Sequence, residues 1–134
     1  MKYFVWPIVL LILFSCGNEE ENKPKKRAPE SLVEVKNGIY YEWYPGKKQI
    51  KYKGGQDKNK KRNGIWTFYS ENGTELSITY YEHGLKEGFS IVKYPTGVIH
   101  YRGEYHNDKT VGVWTTYDEK GNVISETDFG NPEE

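Results

Sequence analysis

The residue types that most often carry chemistry are scarce in this sequence. Its 134 residues include one cysteine, Cys16, and three histidines, His83, His100 and His106. A single cysteine excludes an internal disulfide and a cysteine-rich zinc site. The histidines show no His-Glu-x-x-His spacing, and the chain has neither a Gly-x-Ser-x-Gly motif nor a glycine-rich phosphate loop. We therefore expect no enzyme activity, no metal site and no cofactor.

Glu126 and Asp128 form a pair of carboxylates that could in principle be catalytic. They are two positions apart and therefore share one face of a strand. Glycoside hydrolases use two carboxylates facing one site. Solvated carboxylate pairs are far more common on strands, so we interpret this pair as surface charge.

Cys16 lies where an apolar run ends. Lys2 supplies a positive start, and residues 3–14 are twelve residues without a charge. That run is shorter than the roughly 20 residues needed to span a bilayer as a helix, and it matches the apolar part of a secretory signal. The segment Leu13-Phe14-Ser15-Cys16 resembles a bacterial lipobox. Phe14 is bulkier than the residue usually found at its position.

The lipobox resemblance implies how Cys16 is processed. It implies a diacylglycerol thioether on the cysteine, cleavage before it and acylation of the new amino group. Several acyl chains make a stable membrane anchor where one does not. A buried structural cysteine is the alternative. We predict that residues 1–15 are a lipoprotein signal peptide, that residues 16–32 are the lipidated cysteine and a flexible charged tether, and that residues 33–131 fold.

The composition of the tether bears on location. Residues 17–32 are too polar to bury a core and are predicted to remain flexible. Gly17 replaces the aspartate that marks inner-membrane retention in many Gram-negative lipoproteins. Glu19 to Glu21 resemble the surface-export signal of one group of such bacteria, and solvating linker charges are the alternative. We expect a lipid-anchored protein of the bacterial cell envelope, with the outer membrane favoured and exposure on the cell surface left open.

The rest of the chain repeats with a period of about 24 residues. Units such as GIWTFYSENG and GVWTTYDEKG alternate β-branched and aromatic residues and end in turn residues. Each unit therefore predicts two strands joined by a turn, and the whole predicts an all-β fold, an elongated antiparallel meander of about four β-hairpin repeats. The residues that mark the repeat are Gly38, Gly64, Gly88 and Gly112, then Gly46, Gly73, Gly97 and Gly121, with Trp66 and Trp114.

The pattern also predicts strand ends and core residues. The second strands of the four hairpins are predicted at Gln49–Lys53, Leu76–Tyr81, Ile99–Tyr105 and Val123–Phe129. In the first unit this strand is short and is followed by an insertion, GGQDKNKKR. The predicted core aromatics are Trp66, Phe68, Phe89 and Trp114.

The Gly-x-Trp-x-x-Tyr pattern, followed by a turn glycine and an aromatic-x-x-Gly layout, resembles the bacterial variant of the MORN repeat. The resemblance covers about residues 37–130. The third unit departs from it, with Phe89-Ser90 where two other units have tryptophan at the second position. Proteins with this repeat are often labelled antitoxin-like components of toxin–antitoxin systems. The motif is short and degenerate, so the resemblance specifies fold better than function. The antitoxin label also fits poorly with export, because a cytoplasmic antitoxin has no use for a lipobox.

Charge and exposed tyrosines indicate where the domain could bind. The totals balance at 19 basic and 19 acidic residues, which gives no reason to expect nucleic acid as a partner. Residues 47–62 are strongly basic, however, and residues 118–134 are acidic. Lysines can dock on anionic headgroups or merely protect an edge strand, and tyrosines can serve recognition or cross-strand pairing. The candidate binding residues are Lys47, Lys48, Lys51, Lys53, Tyr69, Tyr80, Tyr94 and Tyr117.

These patterns favour a non-enzymatic, membrane-anchored interaction or scaffold module whose partner is another envelope or extracellular protein. Two alternatives remain open. One is a module that binds glycans or anionic lipid headgroups through lysines beside aromatic rings. The other is an antitoxin-like or immunity-like protein of a toxin system, as the repeat resemblance implies.

Overall fold

The structure is a computed structural model that describes residues 31–131. These residues form one antiparallel sheet in which strand order follows chain order. The sheet is an open meander, as the sequence predicts, and residues 31–131 contain no helix. The nine strands are β1 (Val33–Lys36), β2 (Ile39–Trp43), β3 (Ile50–Gln56), β4 (Arg62–Tyr69), β5 (Glu75–Glu82), β6 (Leu85–Lys93), β7 (Ile99–His106), β8 (Lys109–Tyr117) and β9 (Val123–Asp128).

Two hairpin turns show how local chemistry closes the units. In the β4–β5 turn the Ser70 hydroxyl accepts a hydrogen bond from the Thr74 amide at 3.1 Å. In the β8–β9 turn the Asp118 carboxylate accepts one from the Asn122 amide at 2.8 Å. Between Ser70 and Thr74, Gly73 has a φ of 90°, a conformation that glycine adopts without steric cost. The turn chemistry read from the sequence is therefore the chemistry that closes the hairpins.

Register shifts recur at equivalent places in successive units. The four hairpins β2–β3, β4–β5, β6–β7 and β8–β9 each have one close to the turn, and a second kind occurs wherever one of these hairpins pairs with the next. Each bulge increases the local twist of the strand. Because the shifts repeat, residues at equivalent positions of different units lie on the same face of the sheet.

Strand pairing assigns the side chains to two faces. Tyr40, Gly54, Trp66, Thr79 and Ser90 follow one another directly across β2 to β6, so they share one face. We call it the aromatic face, and its rings are those of Tyr40, Tyr52, Trp66, Phe68, Tyr81, Tyr101, Tyr105 and Trp114. The other face, the second face, has a central row consisting of Lys53, Thr67, Ile78, Ile91, Arg102, Thr115 and Glu126.

The aromatic face is packed by contacts between its own rings. Tyr40 lies 5.2 Å from Trp66 between ring centroids, and Tyr105 lies 5.0 Å from Trp114. Such ring pairs contribute about 0.5–1.5 kcal/mol beyond the area that they bury. Trp66 is only 6% exposed, while Phe68 and Trp114 are half-buried. Three of the predicted core aromatics therefore lie together on this face.

Each tryptophan of the aromatic face lies on a glycine of the preceding strand. A Cβ added to Gly54 would lie 2.3 Å from the Trp66 ring, and one added to Gly103 would lie 2.3 Å from the Trp114 ring. The indole N–H of Trp66 donates to the Gly55 carbonyl oxygen at 2.8 Å, and that of Trp114 donates to the Glu104 carbonyl oxygen at 3.1 Å. The absent side chain thus makes the space in which the indole packs.

The third unit fills the same site with two small residues. Thr79 takes the place of the glycine and Ser90 takes the place of the tryptophan. Their hydroxyl oxygens are 2.9 Å apart and hydrogen-bonded, and Ser90 is 4% exposed. The prediction that Phe89 belongs to the core is wrong. Phe89 points to the second face and is 41% exposed, because Ser90 and not Phe89 occupies the tryptophan position.

The first unit also differs from its prediction. Its second strand is not short, since β3 runs on to Gln56 and pairs with β4. Gly54 and Gly55, which were assigned to an insertion, lie within β3. A Cβ on Gly55 would lie 2.4 Å from the carbonyl oxygen of Asn63, so both glycines allow close approach of β4. The structure also adds β1, which the repeat pattern does not predict.

We predict that the Gly103–Trp114 pair is energetically coupled. Gly103→Thr should lower the free energy of unfolding by about 2–3 kcal/mol in the native chain, because the new side chain would overlap the indole. In a Trp114→Ser background, which copies the native Thr79–Ser90 pair, the same change should cost less than about 1 kcal/mol. Urea unfolding followed by circular dichroism measures both values. Equal costs in the two backgrounds would contradict the coupling.

Candidate interaction surface

The histidines and carboxylates of residues 31–131 do not assemble into a reactive centre. Within this part of the chain no group of three or more His, Cys, Asp or Glu residues could hold a metal ion. His83 pairs with Asp57 at 3.0 Å and His106 pairs with Glu87 at 2.9 Å. His100 stacks on the Tyr94 ring at 4.3 Å. Each histidine therefore has a separate structural neighbour.

The second face carries a line of exposed apolar side chains. Ile65, Phe89 and Val113 are 54%, 41% and 54% exposed. They lie on β4, β6 and β8, and each follows the first glycine of its unit, so that they are spaced 24 residues apart. Since alternate strands of a meander run in the same direction, these residues line up across the sheet. We call this line the apolar stripe.

The apolar stripe borders a shallow concavity of about 480 Å³. Its floor includes half-buried Ile91 and buried Thr115. Arg102 and Glu104 of β7, both exposed, lie between Phe89 and Val113. The site thus combines large apolar side chains with one cation and one carboxylate.

Opposite charges flank the apolar stripe at its two ends. Lys53 of β3 is exposed, and its ammonium lies 5.8 Å from the centre of the Tyr41 ring. Glu126 of β9 is exposed as well, and it accepts a hydrogen bond from Thr115 at 3.4 Å. Both belong to the same cross-strand row of the second face. One basic and one acidic residue therefore lie at opposite ends of this row.

The four candidate lysines do not share one surface. Lys47 and Lys48 belong to the turn between β2 and β3, whereas Lys51 and Lys53 lie in β3. Lys51 is at the hairpin bulge and pairs with Glu42 of the aromatic face at 3.2 Å. That hydrogen bond raises the pKa of Lys51 above its ordinary value. Lys53 points to the second face.

The candidate tyrosines do not share one surface either. Tyr69, Tyr80 and Tyr117 are half-buried on the second face, and the Tyr80 ring lies 6.4 Å from that of Phe89. Tyr94 differs, because it stacks on His100 beside the aromatic face. Its hydroxyl donates to the Tyr117 carbonyl oxygen at 2.9 Å.

Tyr94 has an equivalent in the first unit. The hydroxyl of Tyr44 donates to the Tyr69 carbonyl oxygen at 2.9 Å, as that of Tyr94 does to Tyr117. In both cases a residue of one unit is bonded to the first strand of the next. This hydroxyl therefore ties neighbouring hairpins together near their turns.

Sequence reasoning did not select Ile65, Phe89 and Val113 as surface residues. One signal could have found them: the residue after the first glycine is apolar in every unit, at a fixed spacing of 24 residues in the last three. If the tryptophan that follows points to one face, this residue points to the other. The same alternation places Phe89 on the second face, contrary to the prediction that it belongs to the core.

Two acid–histidine pairs lie near the turns that connect the hairpins: Asp57 and His83 are in two such connections, whereas Glu87 is in β6 and His106 ends β7. His83 is hydrogen-bonded to Asp57, and that bond is the main cause that lowers the pKa of Asp57. For Glu87 the backbone N–H of Asn107 is the larger cause, and the bond with His106 adds to it, so that the pKa of Glu87 is lowered as well. Both carboxylates are therefore held in their ionised form.

Comparisons with known proteins do not indicate a function for this chain, so a functional proposal depends on the surface described above. Neither a scan against protein-family models nor a search of curated proteins finds a match to this chain. Cys16, the predicted signal peptide and the predicted tether lie outside the described residues, apart from residues 31 and 32 of the tether. In the described part there is also no helix long and apolar enough to span a membrane.

We predict that acid weakens the fold through Asp57 and Glu87. Their pKa values are lower in the folded state than their ordinary values of 3.8 and 4.5. Their stabilising effect is therefore complete above these ordinary values and is lost as the pH falls through the folded-state values. The double variant Asp57→Asn, Glu87→Gln should have a lower Tm than the native chain at neutral pH and a smaller further loss in acid.

Thermal unfolding between about pH 7 and about pH 3 tests this expectation. Glu119→Gln, which changes an exposed turn carboxylate, serves as the matched control. If the double variant loses as much Tm in acid as the native chain does, these two carboxylates do not carry the effect.

Proposed function

We propose that this protein is a non-enzymatic interaction module of the bacterial envelope, anchored by lipid at Cys16, and that its contact surface is the apolar stripe of the second face. The observation that carries the proposal is the exposure of Ile65, Phe89 and Val113 in the middle of a sheet. Exposed apolar surface bordered by polar residues is typical of interaction sites, and these three side chains recur on every second strand.

The composition around the apolar stripe supports this assignment. Phe89 lies at its centre with the Tyr80 ring beside it, and aromatic side chains supply much of the binding energy at protein interfaces. Arg102 and Glu104 offer charged groups for orientation at the edge of the concavity. A surface of this kind suits a protein partner.

The proposed anchor rests on the lipobox-like sequence before Cys16, and the MORN-like repeat resemblance remains part of the proposal. Residue 33 begins β1, at one edge of the sheet. A tether of residues 16–32 joined there would leave the middle strands, which carry the apolar stripe, away from the attachment point. This arrangement fits a domain that is held at a membrane and binds through its face.

A second candidate function is binding of glycans or anionic lipid headgroups. The observation that favours it lies on β3, where Lys51 is close to the rings of Tyr44 and Tyr52, at 5.9 and 5.4 Å. Aromatic rings beside cations suit both ligand classes. Lys51 is already paired with Glu42, however, so this site has less free charge than the sequence indicates.

Photo-crosslinking from position 89 tests the proposed surface. A photoreactive phenylalanine analogue in place of Phe89, in the full lipidated chain in its native membranes, should give a protein–protein crosslink of defined mass. The same analogue at Tyr52, in the aromatic face, is the matched control and should give a yield lower by about tenfold. Equal yields at the two positions, or no product at position 89, would contradict the proposal.

Metabolic labelling tests the anchor. Cells that express the full chain should incorporate a palmitate analogue into it, and Cys16→Ala should abolish the label because the acceptor sulfur is gone. Fractionation should then find the variant outside the membrane pellet. Label that survives Cys16→Ala would show that the lipid, if any, is elsewhere.

A further inference from the structure

We propose that the partner on the second face is a second copy of this chain, docked face to face about a twofold axis that runs along β6 at Phe89. The proposal rests on the proposed function, because it names the occupant of the same surface. It comes from the order of charges and apolar side chains across the second face.

Two apolar and two charged positions of the second face are complementary about β6, whereas Arg102 of β7 would face Ile78 of β5. Phe89 lies on β6, and two strands away on either side are Ile65 of β4 and Val113 of β8. Three strands away on either side are Lys53 of β3 and Glu126 of β9. With neighbouring strands about 4.8 Å apart, the two apolar positions lie about 10 Å from β6 and the two charges about 14 Å from it.

Rotation about β6 brings unlike partners together. It places β3 of one copy over β9 of the other, and β4 over β8. Lys53 then faces Glu126 of the second copy, Ile65 faces its Val113, and Phe89 faces its Phe89. Both ion pairs form at once, because a twofold axis repeats every contact.

The other way of stacking two such faces is disfavoured by charge. An axis perpendicular to the strands would place each strand over its own equivalent. Lys53 would then face Lys53 and Glu126 would face Glu126, and like charges in opposition cost binding energy. Charge complementarity therefore selects both the second copy as occupant and the axis along β6.

The single-layer fold gives a reason why a second sheet should pack on the second face. Residues 31–131 form a single sheet, whereas domains usually bury a sheet against another layer, and two aligned sheets pack about 10 Å apart. The aromatic face covers itself through ring contacts. On the second face Ile65, Phe89 and Val113 stay 54%, 41% and 54% exposed, even though the Tyr80 ring lies 6.4 Å from that of Phe89. A second sheet would bury them as the inner layer of a sandwich.

Charge-reversal variants of two differently tagged copies test the inference by co-purification. The full chain is expressed with two different tags, extracted in mild detergent and captured through one tag. Native copies should recover each other. Lys53→Glu alone in both copies, or Glu126→Lys alone in both, should reduce this recovery at least about fivefold, since both ion pairs become repulsive.

The decisive arm mixes the two variants. When one copy carries Lys53→Glu and the other carries Glu126→Lys, each contact again joins a carboxylate to an ammonium, and recovery should return to the native level. Lys48→Glu and Glu119→Lys, which change exposed turn residues, are the controls and should leave recovery unchanged. Circular dichroism of each variant establishes that the sheet is formed.

The outcomes separate this inference from the proposed function. A position-89 crosslink with the mass of two chains, together with rescue in the mixed pair, supports a second copy. A position-89 crosslink to a different protein, without recovery between tagged copies, overturns the second copy and leaves the proposed function standing. Single variants that recover each other as well as native copies do would overturn the axis along β6. The absence of any crosslink from position 89 would overturn both.

Discussion

The packing of a tryptophan on a glycine of the preceding strand is the contact on which this sheet depends. A single layer has no second layer against which to bury its largest side chains. Trp66 and Trp114 solve this by lying on backbone, where Gly54 and Gly103 leave room. The indole N–H also donates to a carbonyl oxygen of that strand. Burial and hydrogen bonding are thus satisfied between adjacent hairpins, and the sheet grows unit by unit.

The third unit shows that the requirement belongs to the pair and not to one residue. Thr79 would collide with an indole, and Ser90 supplies a hydroxyl that bonds with it. The register shifts on either side are the same as in the other units. The hydrogen-bonded Thr79–Ser90 pair therefore gives the same strand pairing as a tryptophan packed on a glycine gives in the other units. Only the aromatic cover is reduced, and the aromatic side chain of this unit, Phe89, lies on the second face.

The sequence predicts the hairpins well because their signals are local. Alternation within a strand and glycine in a turn can be read without knowing the neighbours, as Gly73 shows. Which residues meet across strands cannot be read in this way. Each bulge adds residues to one strand, so pairing depends on the sum of several shifts. The sequence pattern therefore predicts an insertion at Gly54 and a core position for Phe89, and it does not show that Lys51 and Lys53 lie on different faces. The segment around Cys16 is interpreted from its sequence alone.

The difference between the two faces follows from the same contact. Rings that pack on glycine all point to one side, and the large apolar side chains exposed there lie near the two ends of the sheet, as with Val35 of β1 and Phe129, which follows β9. The residue before each tryptophan must then point to the other side, where Ile65, Phe89 and Val113 stay exposed. This residue is apolar in every unit, so repetition itself produces a line of exposed apolar groups. The exposed apolar stripe is therefore a consequence of how the sheet holds together.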